Sequence, residues 1–293
     1  MRTTPTIDRR RFLKLSSAAL AALPAGCIPR PLPARSVYES LIPAEPASLT
    51  VNDVHSQLNA TRVAGIVKPK DVEALASAVA QARGEGRAVC VAGGRHAMGG
   101  QQFAEDALLV DTRSLNRVLS LDADRGIVEA EAGIQWPALL QELQRLQEGR
   151  SPQWGIVQKQ TGADRLSLAG ALACNAHGRG LALRPIIDQV ESFDLLDADG
   201  AIRECSRERN RELFAMAIGG YGLFGVITRV RLRLRPRTKV RRVVVLPETD
   251  GIIDRFEERI RDGYLYGDYQ FATDSTRESF LGRGVFSTYQ PVP

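Results

Sequence analysis

Residues 91–100 read VAGGRHAMGG: an apolar run breaks into Gly93 and Gly94, then Arg95, His96, Ala97 and Met98, then two more glycines. The chain has 293 residues and only 3 histidines, and one of them stands in this turn. A strand ending in Gly-Gly lets backbone N–H groups approach an anion closely, because glycine has no Cβ and tolerates positive φ. The phosphates of a nucleotide are the obvious guest. The turn matches neither the dinucleotide fingerprint G-x-G-x-x-G nor the phosphate loop G-x-x-x-x-G-K-[ST], so the glycines alone do not assign it. The histidine adds chemistry. Neutral imidazole is nucleophilic near pH 7 and can bond an electrophilic carbon, which a protonated lysine does less readily. The plainer alternative is a turn residue that only hydrogen-bonds.

The segment before the turn, KPKDVEALASAVAQARGEGRAVCVAGG (68–94), reads as a helix and a strand. Val72, Leu75, Ala76, Val79 and Ala80 share one helical face behind Asp71, and Gly84 and Gly86 close the helix. AVCVA (88–92) follows as a strand in which Cys90 is a small buried hydrophobe. Beyond the turn, strands are expected at 107–111, 117–122 and 126–133, then a helix over about 136–147 with Pro137 at its start. VITRVRLRLRP (226–236) alternates strictly. Val226, Thr228, Val230, Leu232 and Leu234 lie on one face and Arg229, Arg231, Arg233 and Arg235 on the other, which predicts a half-solvated strand rather than an anion or membrane patch. From 238 a further unit begins, with a strand to about Leu246, a helix over 252–261 and a strand near 269–272.

The formal charge of +5 is concentrated at the N-terminus, where Arg2, Arg9, Arg10, Arg11 and Lys14 face only Asp8 within the first 26 residues. The remainder is near neutral and lacks a basic stripe with interleaved aromatics, which excludes nucleic acid as the expected partner. DRRRFLKLSSAALAALPAGC (8–27) resembles a twin-arginine export signal; its apolar stretch falls short of the roughly 20 residues a membrane-spanning helix needs. Export to the periplasm or cell envelope is therefore expected. Membrane association is expected only if Cys27, in a box that resembles a lipoprotein cleavage site but carries Pro24, is lipidated. Residues 28–57, rich in proline, read as a tether, and His55 within it receives no role. The remaining cysteines, Cys90, Cys174 and Cys205, show no metal-type spacing, and no metal is expected.

Three ordered segments carry a family resemblance. The stretch from VAGGRHAMGG to WPALLQEL (91–143), SLAGALACNAHGRG (167–180) and GGYGLFGVITRVRLRLRP (219–236) resemble the flavin segments of the vanillyl-alcohol oxidase / p-cresol methylhydroxylase superfamily. The resemblance implies an α+β fold: a two-subdomain PCMH-type FAD-binding domain over 58–237, followed over 238–293 by the start of an α/β substrate-cap domain that is cut short. The cap of such proteins usually continues for well over a hundred residues, and here about 56 follow residue 237. The catalytic base, largely a cap residue in such proteins, is left unassigned.

Carried over residue by residue, the resemblance places Gly93, Gly94, Arg95, Ala97 and Met98 around the pyrophosphate and makes His96 the residue that bonds the flavin 8α-methyl. Ser167, Gly170, Ala173, Asn175 and His177 would line the flavin, with His177 read mainly as a structural turn residue. Gly225, Val226 and Ile227 would meet the adenine end or the ring. The stretch GIVQKQTGADRLS (155–167), where certain members of the family carry a second, cysteinyl link, has no cysteine, and Cys174 lies after it, so a single covalent link is expected. The implied function is oxidation of an alcohol carbon of a sugar, polyol or aldonolactone by hydride transfer to flavin N5, with oxygen or another acceptor reoxidising the cofactor. The alternatives are an NADPH-dependent reductase of the cell-wall-precursor type and a flavin-binding envelope protein without activity.

Overall fold

The computed structural model describes residues 49–293. The expected export signal with Arg9, Arg10 and Cys27, and residues 28–48 of the expected tether, lie outside the described residues. The chain divides into two compact units, whose described parts are 49–239 and 240–292.

The first unit begins with β1 (Thr50–Val51) paired antiparallel to β2 (Thr61–Arg62). Next come β3 (Gly65–Val67), α1 (Val72–Gly84), β4 (Val89–Ala92) and β5 (Leu108–Asp111), and these three strands form a parallel sheet in the order β3-β5-β4. Asp71 caps α1 by accepting the Ala74 N–H at 2.7 Å, and Gly86 turns the chain away at φ +64°. The buried face of α1 is Leu75, Val79 and Ala82. Ala80, expected on that face, is exposed, because the small Ala82 side chain takes the position against the sheet instead.

β6 (Val118–Asp122), β7 (Ile127–Glu131), α2 (Trp136–Leu146), β8 (Trp154–Gly155), α3 (Leu168–Ala173), β9 (Val190–Leu196), β10 (Ile202–Ser206), α4 (Arg211–Ala217), β11 (Val226–Arg233) and β12 (Arg235–Pro236) complete the unit. Five of these strands form an antiparallel sheet in the order β10-β9-β11-β7-β6. Its covered face packs on α2, α3 and α4 through Val128, Phe193, Val230, Trp136, Leu139 and Leu172. A second cluster, Leu75, Val79, Val110, Leu115, Leu196 and Val226, joins α1 and the parallel sheet to the large sheet. The alternation of β11 holds from Thr228 onward, with Thr228, Val230 and Leu232 buried; at its start Val226 and Ile227 are both buried, beside a shift of register against β9 between Ile227 and Arg229. Its arginines are neutralised by carboxylates of the neighbouring strands, Arg229 with Glu129 at 3.1 Å, Arg231 with Glu129 at 3.3 Å and Asp194 at 3.2 Å, and Arg233 with Glu191. Arg229, Arg231 and Arg233 of the expected ladder are thus paired within the sheet.

The tether was expected to run to residue 57, but residues 50–57 belong to this unit. Val51 is buried with Val63, Ala92 and Leu109, and Asp53 is fully buried. Sequence periodicity misses this segment because polar side chains, not an apolar stripe, fix it in place.

The second unit holds β13 (Lys239–Val245), α5 (Ile252–Arg261), β14 (Tyr266–Phe271) and β15 (Gly284–Val292), with sheet order β13-β15-β14. Phe256 of α5 meets Phe286 of β15 edge-on at 4.8 Å, and Phe286 is 1% exposed. The strand expected near 269–272 starts three residues earlier, at Tyr266, and β15 is an addition to the sequence reading.

Candidate functional site

β4 and β5 are parallel neighbours, and the chain leaving β4 at Ala92 enters the glycine turn. Space decides the glycines here. A Cβ on Gly93 would fall inside the Ser167 hydroxyl, and one on Gly94 would overlap the Arg165 carbonyl oxygen and lie 2.7 Å from His96 Cδ2. The positive φ of the turn falls on Arg95, at +57°, not on either glycine. This conformation is uncommon for a side chain with a Cβ, and the surrounding contacts hold it.

The turn forms one wall of a cavity of about 280 Å³. Gly93, Gly94, Arg95, His96 and Ala97 line it, together with Ser167, Gly170 and Ala173 from the α3 segment and Gly225, Val226 and Ile227 from the start of β11. Gly225 is obligatory on two counts: its φ is +136°, and a Cβ would stand 2.5 Å from the Leu196 carbonyl oxygen. Ser167 caps α3, accepting the Gly170 N–H at 3.3 Å.

Three expected site residues are not brought to this cavity. Met98 is 63% exposed, and its carbonyl is engaged by Asn59 Nδ2 at 2.7 Å. Asn175 sits in a left-handed turn at φ +45° and accepts the Ile187 N–H at 3.3 Å, a local task. His177 is exposed, with Nδ1 3.1 Å from the Gly178 carbonyl oxygen, in keeping with a turn residue. Conversely, Gln101, Gln102, Thr112, Cys174, Tyr221 and Phe224 line the cavity without having been singled out. The repeated Gln101-Gln102 directly after the glycine turn was the available signal for the first two.

Charge in the wall is organised around Asp111, at the end of β5 and 1% exposed. Its carboxylate accepts from Arg113 Nε at 2.9 Å and Nη2 at 2.5 Å, and lies 3.5 Å from Arg95 Nη2. Burial alone would raise its pKa, but the hydrogen bonds and charge of Arg113, helped by Arg95, hold it below the ordinary carboxylate range. Arg95 thus presents a guanidinium at the cavity whose charge is balanced from behind. His96 is pushed the other way: burial, then the neighbouring His55, lower its pKa, so it is neutral at pH 7. His55 Nε2 stands 2.8 Å from His96 Nδ1.

The residues fit a flavin dinucleotide on two independent counts. Arg95 Nε and both amide atoms of Gln102 are buried without a hydrogen-bond partner while their residues line the cavity, and buried polar groups of this kind await a polar ligand. Gly93 and Gly94, lacking a Cβ, let Ser167 and the Arg165 carbonyl close against the turn, so that bare backbone forms this part of the cavity wall.

A mixed parallel and antiparallel scaffold that opens a glycine-lined, arginine-bearing cavity beside a half-buried histidine has the make-up of a nucleotide-cofactor domain. The profile of the FAD binding domain matches residues 63–206. The chain is 27% identical over 235 residues to the decaprenylphosphoryl-beta-D-ribose oxidase of Mycolicibacterium smegmatis, covering 78% of this chain and 49% of that protein. It is 27% identical over 195 residues to the L-gulonolactone oxidase of Bos taurus, covering 66% and 42%, respectively. With cytokinin dehydrogenase 10 of Oryza sativa subsp. japonica it shares 34% identity over 154 residues, 49% of this chain and 26% of that protein. Residues 63–206 are therefore an FAD binding domain, of the kind shared by the PCMH-type FAD-linked oxidase superfamily. The chain spans about half, or less, of the length of these relatives.

Proposed function

We propose that this chain is the flavin-holding part of an exported FAD-linked oxidoreductase that oxidises an alcohol carbon of a sugar, polyol or aldonolactone, with FAD bonded through His96. The observation that carries the reading is a half-buried imidazole in the wall of a cavity whose other walls are bare glycine backbone and buried polar atoms without partners. FAD, when bound, supplies the two-electron acceptor for a carbon-bound hydride. The protein's part is to hold and shape. Backbone at Gly93 and Gly94 admits the diphosphate, Arg95 offers positive charge, and Gln102 offers an amide donor and acceptor. His96 keeps a ring lone pair available at neutral pH. The substrate class rests on the sugar and lactone substrates in the names of the relatives.

Anaerobic mixing tests the activity. Bleaching of the flavin by gulonolactone, galactonolactone or a polyol is expected, and bleaching by NADPH alone would replace this reading with the reductase. The bond to His96 is tested separately: trichloroacetic acid is expected to leave flavin on the wild type and to strip it from His96→Ala, which still binds FAD. Complete release from the wild type would remove covalent attachment from the proposal. Export rests on Arg9 and Arg10. Arg9→Lys with Arg10→Lys keeps the charge but loses the guanidinium fork, and the precursor is expected to stay in the cytoplasm. Equal export of both proteins would refute a twin-arginine signal.

A further inference from the structure

The segment that sequence reading leaves as a tether grips the glycine turn at three points. Val54 N–H donates to the Arg95 carbonyl at 3.0 Å, His55 Nε2 meets His96 Nδ1 at 2.8 Å, and Asn59 Nδ2 donates to the Met98 carbonyl at 2.7 Å. The segment is itself rigidly built around the buried Asp53 carboxylate, which accepts from the backbone of His55 at 2.9 Å and of Ser56 at 2.6 Å, from Ser56 Oγ at 2.7 Å and from Asn59 Nδ2 at 2.8 Å. Those four bonds outweigh burial and hold Asp53 far below the usual carboxylate range, so it is anionic at any working pH. Asn52 adds a second layer, its Oδ1 accepting the N–H groups of Asp53 and Asn59, each at 2.9 Å. A side chain that merely drifted past His96 would not need this frame.

Two imidazoles in nitrogen-to-nitrogen contact share one hydrogen: one ring donates and the other accepts. Such a pair is a proton-transfer path.

We propose that His55 is a positioning residue for flavin attachment: it orients the His96 ring and takes the ring hydrogen that His96 must shed when it bonds the flavin. This rests on the reading that His96 is the attachment residue. In the balanced step, a C–H bond of the flavin 8α-methyl and an N–H bond of His96 break and one C–N bond forms. The two electrons released reduce the flavin, and dioxygen, taking them up with two protons, leaves as hydrogen peroxide. His55 Nε2 receives the hydrogen across the contact to His96 Nδ1 and returns it to solvent, to which His55 is open. Proton transfer by a positioned base typically contributes about 10²–10⁴ in rate.

The test follows attachment in time. Full-length protein freed of flavin, from a riboflavin-starved host, is mixed with FAD in air, and acid-precipitated flavin per polypeptide is read from its fluorescence on a gel. His55→Ala and His55→Gln are expected to bind FAD to the wild-type level without a bond and to attach it about 100-fold more slowly. Added imidazole is expected to restore much of the rate in His55→Ala, a rescue that a purely structural role would not give. Attachment by both variants at the wild-type rate would overturn the role of His55, as would loss of rate in His55→Ala that imidazole leaves untouched. A wild type that releases all its flavin in acid would overturn the attachment reading itself and this proposal with it.

Discussion

Gly94→Val is expected to emerge folded but nearly colourless, binding FAD roughly 10–100-fold more weakly than the wild type. Any Cβ at this position overlaps the Arg165 carbonyl oxygen and crowds His96 Cδ2, and Gln135 Nε2, which donates to that same carbonyl at 2.6 Å, lies 3.1 Å away. Backbone oxygen cannot move as a flexible side chain can. The turn must shift outward into the cavity, and overpacking of this kind costs about 1–3 kcal/mol, where every 1.4 kcal/mol is a factor of ten in affinity. His96→Ala removes a bond but leaves the cradle open, so it is expected to retain more FAD than Gly94→Val. Titration of flavin-free protein with FAD, followed by fluorescence quenching, measures both, and normal affinity in Gly94→Val would take Gly94 out of the site. Far-UV circular dichroism separates lost binding from lost folding.

Asp111→Ala is expected to be the most destabilising single change in the cavity wall, by about 3 kcal/mol, because breaking a buried ion pair by removing one partner leaves an uncompensated charge. Arg95 is left with no countercharge among the groups that touch its guanidinium here, and its Nε already lacks a partner. For a unit of this size the loss corresponds to a fall in Tm of roughly 6–12 °C. The pH dependence follows from the lowered pKa of Asp111. A carboxylate whose folded-state pKa is depressed contributes its stability in full above the unfolded value of about 3.9 and loses it as pH falls through the lower, folded value. The gap between wild type and Asp111→Ala is therefore expected to be full at pH 7 and to narrow only below about pH 4. Melting curves across that range check it, and a gap that closed at pH 6 would show that another group carries the stability.

The two predictions depend on different kinds of legibility. Gly94 was open to sequence reading because two glycines at a strand end mean backbone approach whatever lies nearby. Its reason was visible only in three dimensions: close approach of Arg165, not a left-handed φ, which Arg95 takes instead. Asp111 reads in sequence as the last residue of a strand; Arg113 is a local partner two residues on, but Arg95, 16 positions upstream, reaches it only when β4 and β5 lie side by side.

What the sequence determined by itself was whatever local periodicity encodes. The helix behind Asp71, the parallel-sheet strands around the glycine turn and the two faces of β11 are all written in spacings of 3.6 and 2 residues, since burying one face is what those elements are for. Tertiary structure decided the rest. The order β10-β9-β11-β7-β6 pairs strands from distant parts of the chain, and no periodicity states which strand lies beside which. Asn175 and His177 share a turn with residues of the cavity wall yet leave it, because the short α3 ends before them and local hydrogen bonds claim their side chains. His55, 41 positions before His96, comes to it through a polar hub around one buried carboxylate. Such a hub has no period, and its stability comes from hydrogen bonds satisfied only once the chain has closed on itself.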